Sequence, residues 1–130
     1  MTAPRLLVPL SFALLGACAQ QPTLPVELDA ESECPIRLQV GQNLTLSLPS
    51  NPSTGYRWRV QDPAAGVLHS LGPEVYSAPD DTGMVGSSGL STWRYQAHAR
   101  GEGKLVLVYQ QPWATDVAPV QTFDCALRVN

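Results

Sequence analysis

Apolar and polar residues alternate with a period of two along most of the chain. This alternation is typical of β-strands that bury one face and expose the other to water. It predicts half-buried strands at residues 36–40, 44–48, 56–60, 93–97 and 123–129. Residues 105–109 are apolar throughout, as in a central strand that is buried on both faces. Weaker strands are expected at 67–71 and 74–78.

Short segments rich in Gly, Pro, Asn and Ser separate these predicted strands, and no stretch with helical periodicity competes with them. About eight short strands in roughly 100 residues are typical of an antiparallel sandwich or barrel. Strands that expose one face to solvent favour the sandwich over the barrel. The 130 residues suffice for one domain. We therefore predict an all-β antiparallel sandwich of about seven to eight strands.

Composition and charge exclude two broad classes of protein. Hydrophobic residues make up 44% of the chain and charged residues 15%, which is unlike a charge-rich disordered chain. The formal net charge of −3 gives no basic surface for nucleic acid.

The first residues are typical of a bacterial secretion signal rather than of a folded domain. Arg5 precedes an apolar stretch, 6–15, that is too short to span a bilayer but has the length of a signal-peptide apolar region. Leu15-Gly16-Ala17-Cys18 resembles the bacterial lipobox, in which the Cys becomes the lipidated first residue. We expect a signal peptide at 1–17 and lipidation at Cys18. The alternative is an ordinary cleaved signal in which Cys18 is incidental.

Residues 18–33 are expected to be the lipidated Cys followed by a flexible tether, because they contain Pro and few large apolar residues. The domain would then occupy residues 34–130. Ala19 stands where an Asp would signal retention in the inner membrane. By resemblance to that sorting rule, we expect a lipid-anchored protein in the outer membrane that faces the periplasm.

Cys34 and Cys125 are expected to form a disulfide. Secretion places them in an oxidising compartment, and both share the parity of the inward-facing residues of their strands. The bond would close a loop of roughly 90 residues and stabilise the fold by roughly 4–5 kcal/mol in the chain-entropy model. The alternative is two unpaired buried thiols. No third ligand is spaced for a metal site, and no cofactor is expected.

Three segments are longer or richer in Gly and Pro than a hairpin turn requires, which is where binding usually lies on a rigid sandwich: 51–55, 79–90 and 110–119. In the first, Pro52 restricts φ and Gly55 permits a positive φ, which predicts a preset, protruding loop. A plain β-turn is the alternative.

The second and third segments carry apolar side chains at their centres. Met84 and Val85 in a Gly-rich loop form an adaptable apolar surface, unless the loop is only a linker. Trp113 directly follows Pro112 and could be a rigid aromatic anchor for a partner; the alternative is that it caps the core.

Together, the order and spacing of these segments resemble the chagasin-type inhibitors of papain-like cysteine proteases. That family carries N-P-T-T-G-Y/F, G-x-G-G and R-P-W loops on an immunoglobulin-like sandwich. Here N-P-S-T-G-Y occupies 51–56, G-S-S-G occupies 86–89 and Q-P-W occupies 111–113. The resemblance spans roughly residues 36–130.

The resemblance implies a tight, reversible inhibitor that is not cleaved and inserts three loops into the active-site cleft. We also expect a monomer. Thr54 would lie at the tip of the first loop, near the catalytic Cys and His of the protease. The residues expected to contact the protease are Asn51, Pro52, Ser53, Thr54, Gly55, Tyr56, Met84, Val85, Gly86, Ser87, Ser88, Gly89, Gln111, Pro112 and Trp113.

Three positions depart from the family pattern. Ser53 replaces a Thr and keeps its hydroxyl, whereas Ser88 replaces a Gly and would stiffen the second loop. Gln111 replaces the Arg, which removes a charge and puts in doubt any salt bridge with an acidic protease rim.

Two alternative functions come from other classes of protein. An enzyme is not expected, because His69 and His98 lie in no local nucleophile motif and His98 falls among outward-facing residues. A cell-envelope adhesion or assembly module would explain the anchor and the fold. It would leave the three loop motifs as a coincidence.

Overall fold

The computed structural model describes residues 3–4, 9, 11, 24–79 and 88–130. Within them the strands are β1 (Val26–Leu28), β2 (Ile36–Leu38), β3 (Asn43–Ser50), β4 (Arg57–Pro63), β5 (Leu68–Ser70), β6 (Val75–Ser77), β7 (Gly89–Ala97), β8 (Gly101–Gln110) and β9 (Gln121–Val129). Two single-turn 3₁₀ helices lie at Glu31–Glu33 and Pro52–Thr54. No helix in this part of the chain is both long and apolar enough to cross a membrane.

The strands form two sheets that pack face to face. One sheet has the order β1-β3-β7-β5, with β6 also pairing with β7, and the other has the order β2-β9-β8-β4. Most neighbours are antiparallel, but β1 runs parallel to β3 and β2 runs parallel to β9. The all-β sandwich predicted from the alternation is confirmed, including both weaker strands.

The core lies between the two sheets and is built from the inward-facing residues of the alternating strands. In β3, Leu44, Leu46 and Leu48 are buried while the residues between them are half-buried. The apolar strand β8 is central, between β9 and β4, as predicted. On its outer face Val108 is buried, but Val106 is only half-buried.

A disulfide joins the segment before β2 to the middle of β9. Cys34 and Cys125 are bonded, and their Cα atoms lie 5.3 Å apart. Cys125 is fully buried in the core. The predicted pairing is therefore confirmed over a sequence separation of 91 residues.

The predicted boundary between tether and domain at residue 34 is wrong. Strand β1 falls within the expected tether, where Val26 pairs with Leu44 and Leu28 with Leu46. Leu28 is only 1% exposed and belongs to the core. Three residues are too few to show an alternation, and what holds β1 in place is its parallel pairing with β3. Residues 18–23 lie outside the described residues.

Candidate functional site

Three connections emerge at one end of the sandwich. The first loop (51–56) joins β3 to β4, the second (78–88) joins β6 to β7, and the third (111–120) joins β8 to β9. The register places Ser50 opposite Gly89, and Arg57 opposite Gln110. These pairs bring the start or end of all three loops to the same edge, which we call the loop end.

The first loop is closed by its own hydrogen bonds. The Thr54 amide and hydroxyl both donate to the Asn51 carbonyl oxygen, at 3.2 and 2.7 Å. The Gly55 amide donates to the Pro52 carbonyl oxygen at 3.0 Å, and the Ser53 hydroxyl donates to Asn51 Oδ1. Ser53 and Thr54 are exposed at the tip. Gly55 has a φ of 83°, so the predicted positive φ is confirmed.

An aromatic cluster at the adjoining ends of β4 and β8 supports the first loop. The Asn51 amide donates to the Tyr109 hydroxyl oxygen at 3.0 Å. The Tyr109 ring lies 5.4 Å from the Tyr56 ring and 4.8 Å from the Trp58 ring, centroid to centroid. The sequence pattern identifies Tyr109 only as a strand residue. The one feature of the sequence that indicates a role in the loop end is its position, as an aromatic residue at the end of an apolar strand just before the third loop.

Arg57 also supports the first loop, a role that the sequence pattern does not indicate. Its Nη1 donates to the carbonyl oxygens of Pro52 at 2.8 Å and Tyr56 at 2.9 Å. These charge-assisted bonds resist opening of the turn. Nothing in the sequence distinguishes Arg57 from a solvated arginine on an exposed strand face.

The third loop packs on the first. The Trp113 indole covers Gly55 so closely that a Cβ atom at Gly55 would overlap the ring. Gln111 Nε2 donates to the Thr54 carbonyl oxygen at 3.4 Å. Trp113 is nevertheless 69% exposed, which excludes the alternative that it caps the core. The Gln that replaces the family's Arg therefore links two loops.

The second loop lies mostly outside the described residues, including the candidates Met84, Val85, Gly86 and Ser87. Of its predicted contact residues, Ser88 is exposed and Gly89 opens β7 in a buried position. A Cβ atom at Gly89 would meet the Tyr76 side chain and the Ser77 carbonyl oxygen. The close approach of β6 therefore accounts for this glycine.

The surface formed by the first and third loops is suited to binding. Trp113, Val117 and Val120 of the third loop are all more than half exposed. Within the described residues, no group of three or more His, Cys, Asp or Glu side chains is arranged so that it could hold a metal ion. His98 is exposed in the turn between β7 and β8, where its Nε2 lies 3.0 Å from the Ala65 carbonyl oxygen.

Comparison with known proteins identifies the family. Residues 37–127 match the model for the chagasin family of peptidase inhibitors, I42. The chain belongs to the chagasin family. The identification made from the three loop motifs is therefore confirmed, and so is the expectation that the chain is not an enzyme.

Curated relatives and solved structures resemble the chain over most of its length. Amoebiasin-1 from Entamoeba histolytica is 36% identical over 95 residues, which cover 73% of this chain and 87% of that protein. The crystal structure of the cysteine protease inhibitor EhICP2 from Entamoeba histolytica has a TM-score of 0.70 at 22% identity, covering 82% and 96%. PbICP-C, solved in complex with falcipain-2, has a TM-score of 0.53 at 16% identity, covering 82% and 92%.

Proposed function

We propose that this chagasin-family chain inhibits a papain-like cysteine protease by placing its loop end over the active-site cleft. The complex is tight and reversible, and the inhibitor is not cleaved. The observation that carries this proposal is the packing of the third loop on the first, with Trp113 resting on Gly55 and still exposed to solvent.

Preorganisation is the physical reason why this surface can bind tightly. Binding costs free energy when loops and side chains must be ordered, and a surface that is already ordered avoids much of that cost. The first loop is closed by its own hydrogen bonds and braced by Arg57 and Tyr109. Ser53 and Thr54 can therefore enter a cleft as a stiff wedge.

Trp113 provides the aromatic anchor of this surface. Exposed aromatic side chains that become buried in a complex commonly dominate the binding energy. Val117 and Val120 extend the apolar area of the third loop. We assign the second loop, with Met84 and Val85, to a further apolar contact.

The folded first loop also explains how an inhibitor can occupy the cleft without being cleaved. Cleavage requires the scissile carbonyl to reach an attack geometry beside the nucleophile. The carbonyl oxygens of Asn51 and Pro52 already accept hydrogen bonds from within the inhibitor. These bonds would have to break before either peptide bond could adopt a substrate conformation.

The comparisons support a cysteine protease as the partner. EhICP2 is described as a cysteine protease inhibitor, and PbICP-C is bound to falcipain-2. Adhesion or envelope assembly, the rival function, finds no support in the family match. The likeness to PbICP-C at 16% identity concerns the fold.

Titration against papain tests the proposal. Purified residues 19–130 should abolish papain activity at a 1:1 ratio, and mass spectrometry after long incubation should recover the inhibitor intact. Size-exclusion chromatography should show a monomer that forms a one-to-one complex. An inhibitor that leaves papain activity unchanged at micromolar concentration, or that is cut within 51–56, would contradict the proposal.

We further propose that Cys18 is lipidated and holds the protein in the outer membrane, facing the periplasm. The lipobox-like Leu15-Gly16-Ala17-Cys18 and Ala19 support this location. Replacing Cys18 by Ala should abolish labelling with radioactive fatty acid and release the protein in soluble form. A Cys18→Ala protein that stays with the membrane fraction would show that the lipid is not its anchor.

A further inference from the structure

The chain enters the sandwich at the end opposite to the three loops. β1 runs parallel to β3, and Val26 pairs with Leu44 near the start of β3, whereas the first loop follows the end of β3. Gln42 Nε2 donates to the Leu24 carbonyl oxygen at 2.8 Å, which holds the incoming chain at this end. We call the surface made by Leu24 and the turns 39–42, 64–67 and 98–100 the tether end.

The tether end is chemically suited to lie near a phospholipid surface. Its three turns contain no acidic side chain, and Arg100 supplies a positive charge. Leu24 and Val40 are exposed there, at 80% and 49%. The neighbouring carboxylates are Glu27 and Glu102, which lie within strands, and Asp62 near the end of β4, whose Oδ1 accepts a hydrogen bond from the Ala64 amide at 3.0 Å. Exposed apolar groups beside an arginine suit the boundary between acyl chains and headgroups, where an apolar side chain is buried and a cation meets anionic headgroups.

Chain length sets how far the tether end can lie from the bilayer. Cys18 precedes Leu24 by six residues, and six fully extended residues span at most about 22 Å. The eight residues of β3 add a rise of about 27 Å between the tether end and the loop end. The short connection from Cys18 to Leu24 therefore holds the tether end near the membrane and leaves the loop end farther from the membrane.

We propose that the tether end faces the membrane and that the loop end projects into the aqueous compartment. The inhibitor then captures its protease while it remains anchored. This inference rests on the proposed lipidation of Cys18. The partner that fits is a water-soluble protease that approaches from the side away from the bilayer.

Coupling to vesicles through two different positions tests this orientation. The chain from Cys18 onward carries one free thiol, because Cys34 and Cys125 are bonded to each other. Attached through Cys18 to a maleimide phospholipid in phosphatidylethanolamine–phosphatidylglycerol vesicles, it should inhibit papain within about twofold of the uncoupled chain. The control is a Cys18→Ser, Thr115→Cys chain, attached through the third loop, which should weaken inhibition at least about tenfold on coupling.

Tryptophan fluorescence gives a second readout that does not depend on inhibition. Trp58 and Trp93 are buried, so aqueous iodide should quench mainly Trp113, equally in the free and the Cys18-coupled chain. In a Trp113→Phe, Val40→Trp variant, the new tryptophan should instead lose iodide quenching on the vesicles and be quenched by brominated lipids.

The possible outcomes separate this inference from the proposals on which it rests. Shielding of Trp113 on the vesicles, or a loss of inhibition of about tenfold on coupling through Cys18, would overturn the orientation. If the uncoupled chain fails to inhibit papain, the proposed inhibitory function is wrong, and the quenching data alone decide the orientation. Chemical coupling also makes the test independent of lipidation in the cell.

Discussion

At the scale of single residues, Gly55 is where the first and third loops meet. Its φ of 83° lies in the region that side chains with a Cβ avoid, and the Trp113 indole occupies the space in which a Cβ would project. Glycine is therefore required twice at this position, once by the backbone and once by the neighbouring ring. The second requirement connects the residue to the binding surface.

We expect Gly55→Ala to weaken inhibition through displacement of Trp113. Both the positive φ and the overlap with the indole must be relieved, at a cost of about 1 kcal/mol or more. The inhibition constant for papain should rise by about tenfold or more.

Gly41→Ala is the matched control for this change. Gly41 has a φ of 92° but no atom within 4 Å of its Cβ position, and it lies in a turn at the tether end. It should lose about 1 kcal/mol of unfolding free energy and keep full inhibition. Equal inhibition by both variants would show that the contact between Gly55 and Trp113 does not shape the binding surface.

Trp113→Ala should separate binding from folding. The side chain is 69% exposed, so its removal should leave the thermal midpoint nearly unchanged. Loss of an aromatic anchor commonly costs about 2 kcal/mol of binding free energy, which is roughly thirtyfold in the inhibition constant for papain. Val40→Ala, an exposed apolar residue at the opposite end, should change neither quantity. Unaltered inhibition by Trp113→Ala would remove the third loop from the binding surface.

At the scale of elements, β1 extends the folded domain to residues that precede Cys34 in the chain. Leu28 is 1% exposed between the sheets, whereas Leu24, four residues earlier, is 80% exposed. Leu28→Ala should lower the free energy of unfolding by about 2–5 kcal/mol, and Leu24→Ala should leave it nearly unchanged. Urea denaturation of the two variants measures both effects. Equal stability would mean that β1 is dispensable and that the domain starts near residue 34.

At the scale of the whole molecule, the disulfide closes nearly the entire domain into one loop. Its sequence separation of 91 residues predicts a stabilisation of about 4–5 kcal/mol through restriction of the unfolded chain. The Cys34→Ala, Cys125→Ala double variant should show a denaturant midpoint lowered accordingly. At denaturant concentrations at which it is still folded, the double variant should inhibit papain normally, because the bond lies outside the three loops. A stable variant that has lost inhibition would show that the bond positions the loops.

Much of this molecule is determined locally along the sequence. The strands follow from the alternation of apolar and polar residues, because a half-buried strand must place its side chains on alternate faces. The shared inward-facing parity of Cys34 and Cys125, together with the expected oxidising compartment, predicted their pairing. The conformation of the first loop follows from Pro52 and Gly55, whose backbone preferences act wherever the chain places them.

Only the tertiary structure decided the features that depend on distant partners. Leu28 is a core residue because β1 pairs with β3, and three residues of strand carry no periodic signal of their own. Tyr109 and Arg57 support the first loop because the antiparallel pairing of β4 with β8 brings the strand ends together beneath it. Trp113 covers Gly55 across a separation of 58 residues. Such contacts arise from the pairing of strands that are distant in the sequence, which local residue preferences do not encode.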